Sequence, residues 1–238
     1  MLGEQSRVRS KRRGVSGKDE AGVGVLALGS HDEKHGAILP PDTDAKLAAH
    51  IALEAAKRTG AKFIGILLSS HELPFIDTGE HHPIAEVLSE LRGKLKEAKR
   101  VLGLRAVVLV NAHGGNKPLR KHLRRLERES GLKLAFNTRI VDVEGPHAGT
   151  GEVSAGVVVG IGDPTKLREH TNFEKYPEVG FVGFKRAREV YPWAEEHARE
   201  VSERGIHVDE ELGRRLVEEA IESVVRDIRR LKSFRGSK

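Results

Sequence analysis

The sequence predicts an α/β fold: a layered, mainly parallel central sheet flanked by helices. Two observations carry that expectation. Apolar runs of buried-strand length recur, as in Val23-Gly24-Val25-Leu26-Ala27-Leu28 and Ala106-Val107-Val108-Leu109-Val110. Segments with helical spacing of apolar residues separate them, the alternation that builds parallel sheets through crossovers.

Taken in order, the first strand ends at Gly29-Ser30. A helix from about Asp44 to Arg58 carries Leu47, Ile51, Leu53 and Ala55, with Gly60 placed to stop it. Phe63 to Leu68 reads as the next strand, and Ile84 to Leu102 as a long amphipathic helix. After the strand at 106–110 comes a basic helix near Pro118 to Glu129, with Leu119, Leu123 and Leu126 inward. Ile140-Val141-Asp142-Val143 reads as a further strand, and Glu152 to Ile161 as a buried helix. Residues 163–207 read as irregular. They are rich in Pro and aromatics (Phe173, Tyr176, Phe181, Phe184, Tyr191, Trp193), as a lid, a subunit contact or a substrate wall would be. Asp209 to Leu231 is a closing helix striped by Leu212, Leu216, Ala220, Val224 and Ile228.

With 238 residues, one domain over 21–238 is the natural expectation. The absence of cysteine excludes disulfides, thiolate metal sites and a cysteine nucleophile, and fits a cytoplasmic protein. No apolar stretch reaches spanning length, so no membrane partner is expected. The net charge is +6, but Arg7, Arg9, Lys11, Arg12, Arg13 and Lys18 stand against Glu4 alone before residue 19. The basic excess therefore belongs to residues 1–20, expected to be a disordered extension, and nucleic acid is not the expected partner of the nearly neutral body.

Three fragments carry chemistry. Glu33-Lys34-His35-Gly36, followed by Asp44, lies just past the first strand; Glu33 and His35 at i and i+2 leave an extended chain on one face. Asn111-Ala112-His113-Gly114-Gly115-Asn116 follows the strand at 106–110. His147-Ala148-Gly149-Thr150-Gly151-Glu152-Val153-Ser154 follows the run at 140–143. Singly, each Glu, Asp or His is as well read as solvated, and Asp44 as part of a helix cap. Together they put carboxylates and imidazoles beyond strand ends, where open α/β sheets bind ligands. Such donors without sulfur fit Fe(II), Mn(II) or Zn(II). His71, Glu72, His81 and His82, in another post-strand loop, are candidate substrate contacts.

These motifs, in this order, resemble the creatininase (creatinine amidohydrolase) family of metal-dependent amide hydrolases, over roughly residues 22–160. Where creatininase has Tyr-Glu after its motif histidine, this chain has Gly114-Gly115, and Ile38 stands where many relatives have a second histidine. The segments His35 to Pro40 and His147 to Ser154, with the short length, look most like an archaeal branch that deformylates a formylaminopyrimidine ribonucleotide.

The resemblance implies metal-assisted hydrolysis in a homo-oligomer, with two divalent metals per chain and Fe(II) favoured. Glu33, Asp44 and His113 would hold one metal, and His35 and Asp44 would reach a second, with Asp44 bridging. His147 or Glu152 would protonate the departing amine, although Glu152 could instead complete the second metal shell. Asn111 and Asn116 would orient the loop or bind substrate. Two other readings stay open: hydrolysis of another small amide or lactam, and a non-catalytic metal- or nucleotide-binding module with an RNA-contacting tail.

Overall fold

The computed structural model describes residues 22–233; the basic extension expected over residues 1–20 lies outside them. Four parallel strands, β1 (Val23–Leu28), β2 (Lys62–Leu67), β3 (Ala106–Asn111) and β4 (Lys133–Asn137), form a sheet of order β2-β1-β3-β4. The two central strands are buried on both faces, which is why they read as continuous apolar runs rather than alternating ones. Val23, Val25 and Ala27 point into a cluster with α1 (Thr43–Thr59) and the closing helix. Leu26 and Leu28 point into the opposite cluster with α2 (Ile84–Leu102).

Gly60 ends α1 in the left-handed conformation, as expected for a glycine beyond the last turn. The basic segment after β3 departs from a plain helix. Gly114–His122 is a 3-10 turn series containing Pro118, and α3 proper is Leu123–Ser130. Proline, lacking an N–H, cannot continue an α-helical ladder there.

The strand expected at 140–143 is instead the short helix α4 (Arg139–Val143), and β4 lies just before it. A short apolar run of β-branched residues does not by itself separate strand from helix. The next helices are α5 (Thr150–Val158) and α6 (Leu167–His170). The region expected to be irregular holds α7 (Lys185–Val190) and α8 (Pro192–Arg204), besides α6. Pro192 takes the first helical position that suits it, and α8 buries small residues, Ala194, Ala198 and Val201, which give a weak apolar signal. The closing helix is α9 (Glu210–Ser233). No helix among the described residues is long and apolar enough to cross a membrane.

The end of β1 presses directly on the start of α1. Ala45 donates to the Ser30 carbonyl at 3.1 Å, and a Cβ on Gly29 would stand 2.4 Å from the Asp44 carbonyl carbon. Only glycine allows that approach, which sets Asp44 over the strand ends. Gly29→Ala should therefore cost about 1–3 kcal/mol in chemical denaturation, because backbone rather than a flexible side chain must give way.

Candidate metal centre

The loops that leave the carboxyl ends of β1 and β3 face each other across two adjacent strands. Ala112 donates to the Leu28 carbonyl at 3.0 Å, so His113 enters beside the β1 loop. That loop is pinned along its length: Glu33 donates to the Pro41 carbonyl at 3.0 Å and Lys34 to the Thr78 carbonyl at 2.6 Å. His170, fully buried, accepts from the Ala37 N–H at 3.1 Å through Nδ1 and donates from Nε2 to the Ala148 carbonyl at 2.8 Å. It ties the β1 loop to the loop that carries His147.

Four groups of donors with ligand atoms within 4.8 Å of one another result among the described residues, and two of them are buried throughout: Glu33, Asp44 and His113, and His35, Asp44 and Glu152. All five residues are buried. Asp44 belongs to both groups, one oxygen to each. Its Oδ2 is 2.9 Å from His113 Nδ1, which also lies 2.8 Å from Glu33 Oε2. Its Oδ1 is 3.1 Å from His35 Nε2, which also lies 3.2 Å from Glu152 Oε1.

The other nitrogen of each ring is already committed. His35 Nδ1 donates to the Glu33 carbonyl at 2.9 Å, and His113 Nε2 donates to the His71 carbonyl at 3.0 Å. These bonds fix the tautomers, so a neutral ring turns a lone pair toward two carboxylate oxygens. Only a positive charge between them makes that arrangement favourable. A proton on the ring nitrogen can lie along only one of the two directions, and Glu33 Oε2 has no hydrogen-bond donor. A cation that accepts all three donors fits each group, with backbone carbonyls orienting the imidazoles as metal ligands require.

Burial alone would raise the pKa of these carboxyl groups. Instead His113 holds Glu33 below its ordinary value, and Asp44 and Glu152 each fall to about 2 beside His35, with His113 adding at Asp44 and His147 at Glu152. Burial likewise opposes charge on the imidazoles. It is overcome at His35 by Glu152 and Asp44, and at His113 by Glu33 and Asp44, so both rings are raised well above an ordinary histidine.

The centre opens into a cavity of about 580 Å³ lined also by Glu72, Glu144, His147, Lys117, Phe181, Trp193 and His197. His147 donates from Nε2 to the Lys34 carbonyl at 2.8 Å, which leaves Nδ1 as the free acceptor. That nitrogen lies 3.9 Å from Glu33 Oε1 and 3.8 Å from Glu152 Oε2, facing both donor groups. Glu152 is engaged at both oxygens, since Oε2 accepts from the Ala148 N–H at 2.5 Å.

Burial raises the Glu72 pKa to about 7 despite His113, and it raises Glu144 well above the ordinary range, with Glu152 and Asp44 adding. Burial, then His147 and Lys117, push His197 down to about 4 against the pull of Glu196.

Not every expected substrate contact faces the cavity. Asn111 is fully buried and donates to the His113 carbonyl at 2.7 Å, and Asn116 accepts from the His71 N–H at 3.0 Å. Neither lines the cavity, nor does the His71 ring, whose Nδ1 bonds the His82 carbonyl at 3.2 Å. They shape the loop that orients His113. Glu72 does line the cavity. His81 stacks on His113 at 5.4 Å and reaches the Thr78 hydroxyl at 3.1 Å, and that hydroxyl donates to Glu33 Oε1 at 3.0 Å.

Nothing in the sequence singles out Thr78, Glu144 or His170. None stands in a motif, and Thr78 and His170 act through partners far away in the chain.

The chain is similar to known proteins over nearly its whole length. The creatininase family model (creatinine amidohydrolase) matches residues 14–228. A 2-amino-5-formylamino-6-ribosylaminopyrimidin-4(3H)-one 5′-monophosphate deformylase from Methanothermobacter thermautotrophicus is 46% identical over 218 residues, covering 91% of this chain and 92% of the relative. The protein of the same name from Methanobrevibacter smithii is 47% identical over 212 residues, covering 89% and 92%. Among solved structures, a putative creatinine amidohydrolase from Bacteroides fragilis superposes with a TM-score of 0.65 at 19% identity, over 92% of each chain. A zinc–zinc form of a creatininase mutant superposes with a TM-score of 0.60 at 17% identity, over 90% of this chain and 92% of that one. With its parallel sheet, its donor loops and this match, the chain belongs to the creatininase family.

Proposed function

We propose that this protein hydrolyses the formamide of 2-amino-5-formylamino-6-ribosylaminopyrimidin-4(3H)-one 5′-monophosphate, releasing formate and the 2,5-diaminopyrimidine ribonucleotide. The observation that carries the chemistry is Asp44, buried with one oxygen in each of two imidazole–carboxylate groups. The names of relatives sharing close to half of their residues support the substrate.

In this reading Glu33, Asp44 and His113 hold one divalent cation, and His35, Asp44 and Glu152 hold a second. The donors are oxygen and imidazole nitrogen, which fits Fe(II), Mn(II) or Zn(II), with Fe(II) first by likeness to the deformylase branch. Divalent cations there would lower the pKa of a water and polarise the formyl oxygen.

His147 is the acid–base group. Its Nδ1 accepts a proton from the attacking water as the O–C bond forms, and returns it to the departing exocyclic 5-amino nitrogen as the C–N bond breaks. Glu152 is less suited to move that proton, because at about pKa 2 it is ionised at neutral pH and both its oxygens are occupied. Glu33 and Asp44, ionised as well, supply negative charge for cations rather than protons.

Turnover, metal content and pH dependence test this. Protein purified without oxygen and loaded with Fe(II) should release formate from the formylaminopyrimidine ribonucleotide. His147→Asn should retain its metal yet lose about 10²–10⁴-fold in kcat; no formate from the wild type would sink the substrate. By elemental analysis, Asp44→Asn should hold neither cation and Glu152→Gln only one, whereas equal loss in both would contradict a bridging Asp44. Metal uptake should also weaken as pH falls, because His35 and His113, raised well above ordinary histidine, keep their protons to higher pH and must release them to bind. Calorimetry in two buffers of different ionisation heat should show about one proton released per cation.

A further inference from the structure

The charges that line the cavity are unevenly divided. Glu33, Asp44, Glu72, Asp142, Glu144 and Glu152 bring six carboxyl groups to it, and Lys117 is its only Lys or Arg among the described residues. Lys117 follows the glycines of the β3 loop, and its Nζ stands 2.9 Å from Asp142 Oδ1, with the two side chains 47% and 44% exposed.

Asp142 has a second partner besides that ammonium. Thr138 donates to its Oδ2 at 2.8 Å, and Arg120 donates to the same Thr138 hydroxyl at 3.2 Å. Lys117 can therefore turn to another anion while Asp142 keeps its own support. The remaining wall is aromatic. Phe181 meets Trp193 edge-on at 5.6 Å and stacks on His197 at 6.1 Å, and His197 Nδ1 is buried without a hydrogen-bond partner. A flat heterocycle can lie against such a wall.

A phosphate monoester carries nearly two negative charges at neutral pH. Here it needs a cation other than those that the carboxylates of the two donor groups would hold. We propose that Lys117 binds the 5′-phosphate of the substrate, releasing Asp142 as it does so; this rests on the deformylase reading above. The pyrimidine then lies along Trp193 and His197, with its formamide over the two donor groups.

The test compares formate release from the nucleotide and from the dephosphorylated nucleoside by the metal-loaded wild type and by Lys117→Ala, Lys117→Arg and Asp142→Asn. Lys117→Ala should raise KM for the nucleotide about 10- to 100-fold, the scale of a lost charge-assisted contact, with kcat little changed. Its KM for the nucleoside should match the wild type. Lys117→Arg should restore most of the loss, and Asp142→Asn should leave the nucleotide KM unchanged or lower it.

Equal effects on both substrates, or an Asp142→Asn variant that behaves like Lys117→Ala, would make the ion pair structural and overturn the proposal. A wild type that deformylates the nucleotide while Lys117→Ala is unaffected refutes this assignment alone. A wild type inactive on both substrates refutes the deformylase reading, and this assignment with it.

Discussion

Everything at this site depends on one constraint: three buried carboxylates share two imidazoles whose outer nitrogens are already bonded to backbone carbonyls. Burying ionised carboxylates is costly unless each is paired. Here the pairing is incomplete by construction, because each inward imidazole nitrogen meets two oxygens and can offer one proton. The fold holds these like charges together through bonds from behind: the Glu33 and His71 carbonyls on the rings, the Ala148 N–H on Glu152 and the Thr78 hydroxyl on Glu33. A preformed field of this kind favours small, highly charged cations.

The scaffold explains why the donors can be so widely separated in sequence. Parallel neighbours β1 and β3 send their carboxyl-end loops to the same edge, and α1 returns over β1 with Asp44 in its first turn, where the helix dipole favours an anion. Gly29 permits the contact between strand end and helix start. His170, in the distal segment, fixes the β1 loop against the one bearing His147, and Glu178 accepts from the Gly36 N–H at 3.0 Å. A substitution far from the donors could therefore move them.

What is legible in the sequence follows from how local each signal is. Glu33, His35, Asp44 and His113 can be found because each sits within a few residues of a strand or helix end with strong periodicity. The helix Ile84–Leu102 is legible to the residue, since nineteen amphipathic positions outweigh noise at its ends. The run Ile140-Val141-Asp142-Val143 misleads because β-branched residues fit either state, and in the structure it forms α4 directly after β4. The helices within 163–207 escape a reading by apolar periodicity because α8 buries alanine and is opened by proline, while α6 and α7 are only a turn or two long. Asn111 and Asn116 are polar residues in a motif loop, which sequence alone cannot divide between ligand contact and loop support; in the structure Asn111 bonds the His113 carbonyl and Asn116 the His71 N–H.

The glycine pair after His113 shows how a departure from the family pattern is absorbed. A Cβ on Gly115 would stand 2.2 Å from the His71 carbonyl oxygen and 2.7 Å from both Glu72 Oε1 and His113 Nε2, so the backbone at His71, with the Glu72 side chain behind it, leaves no room for a side chain at 115. Glu72, from the loop after β2, lines the cavity 3.6 Å from His113 Nε2. The second donor group draws its third member from α5, where Glu152 reaches His35 from the opposite side. Gly114, by contrast, has nothing nearer than Val141 at 3.9 Å and leaves the cavity open beside Lys117. With no side chains at 114 and 115, the chamber stays open beside Lys117, and Glu33, Asp44 and Glu152 surround the two histidines.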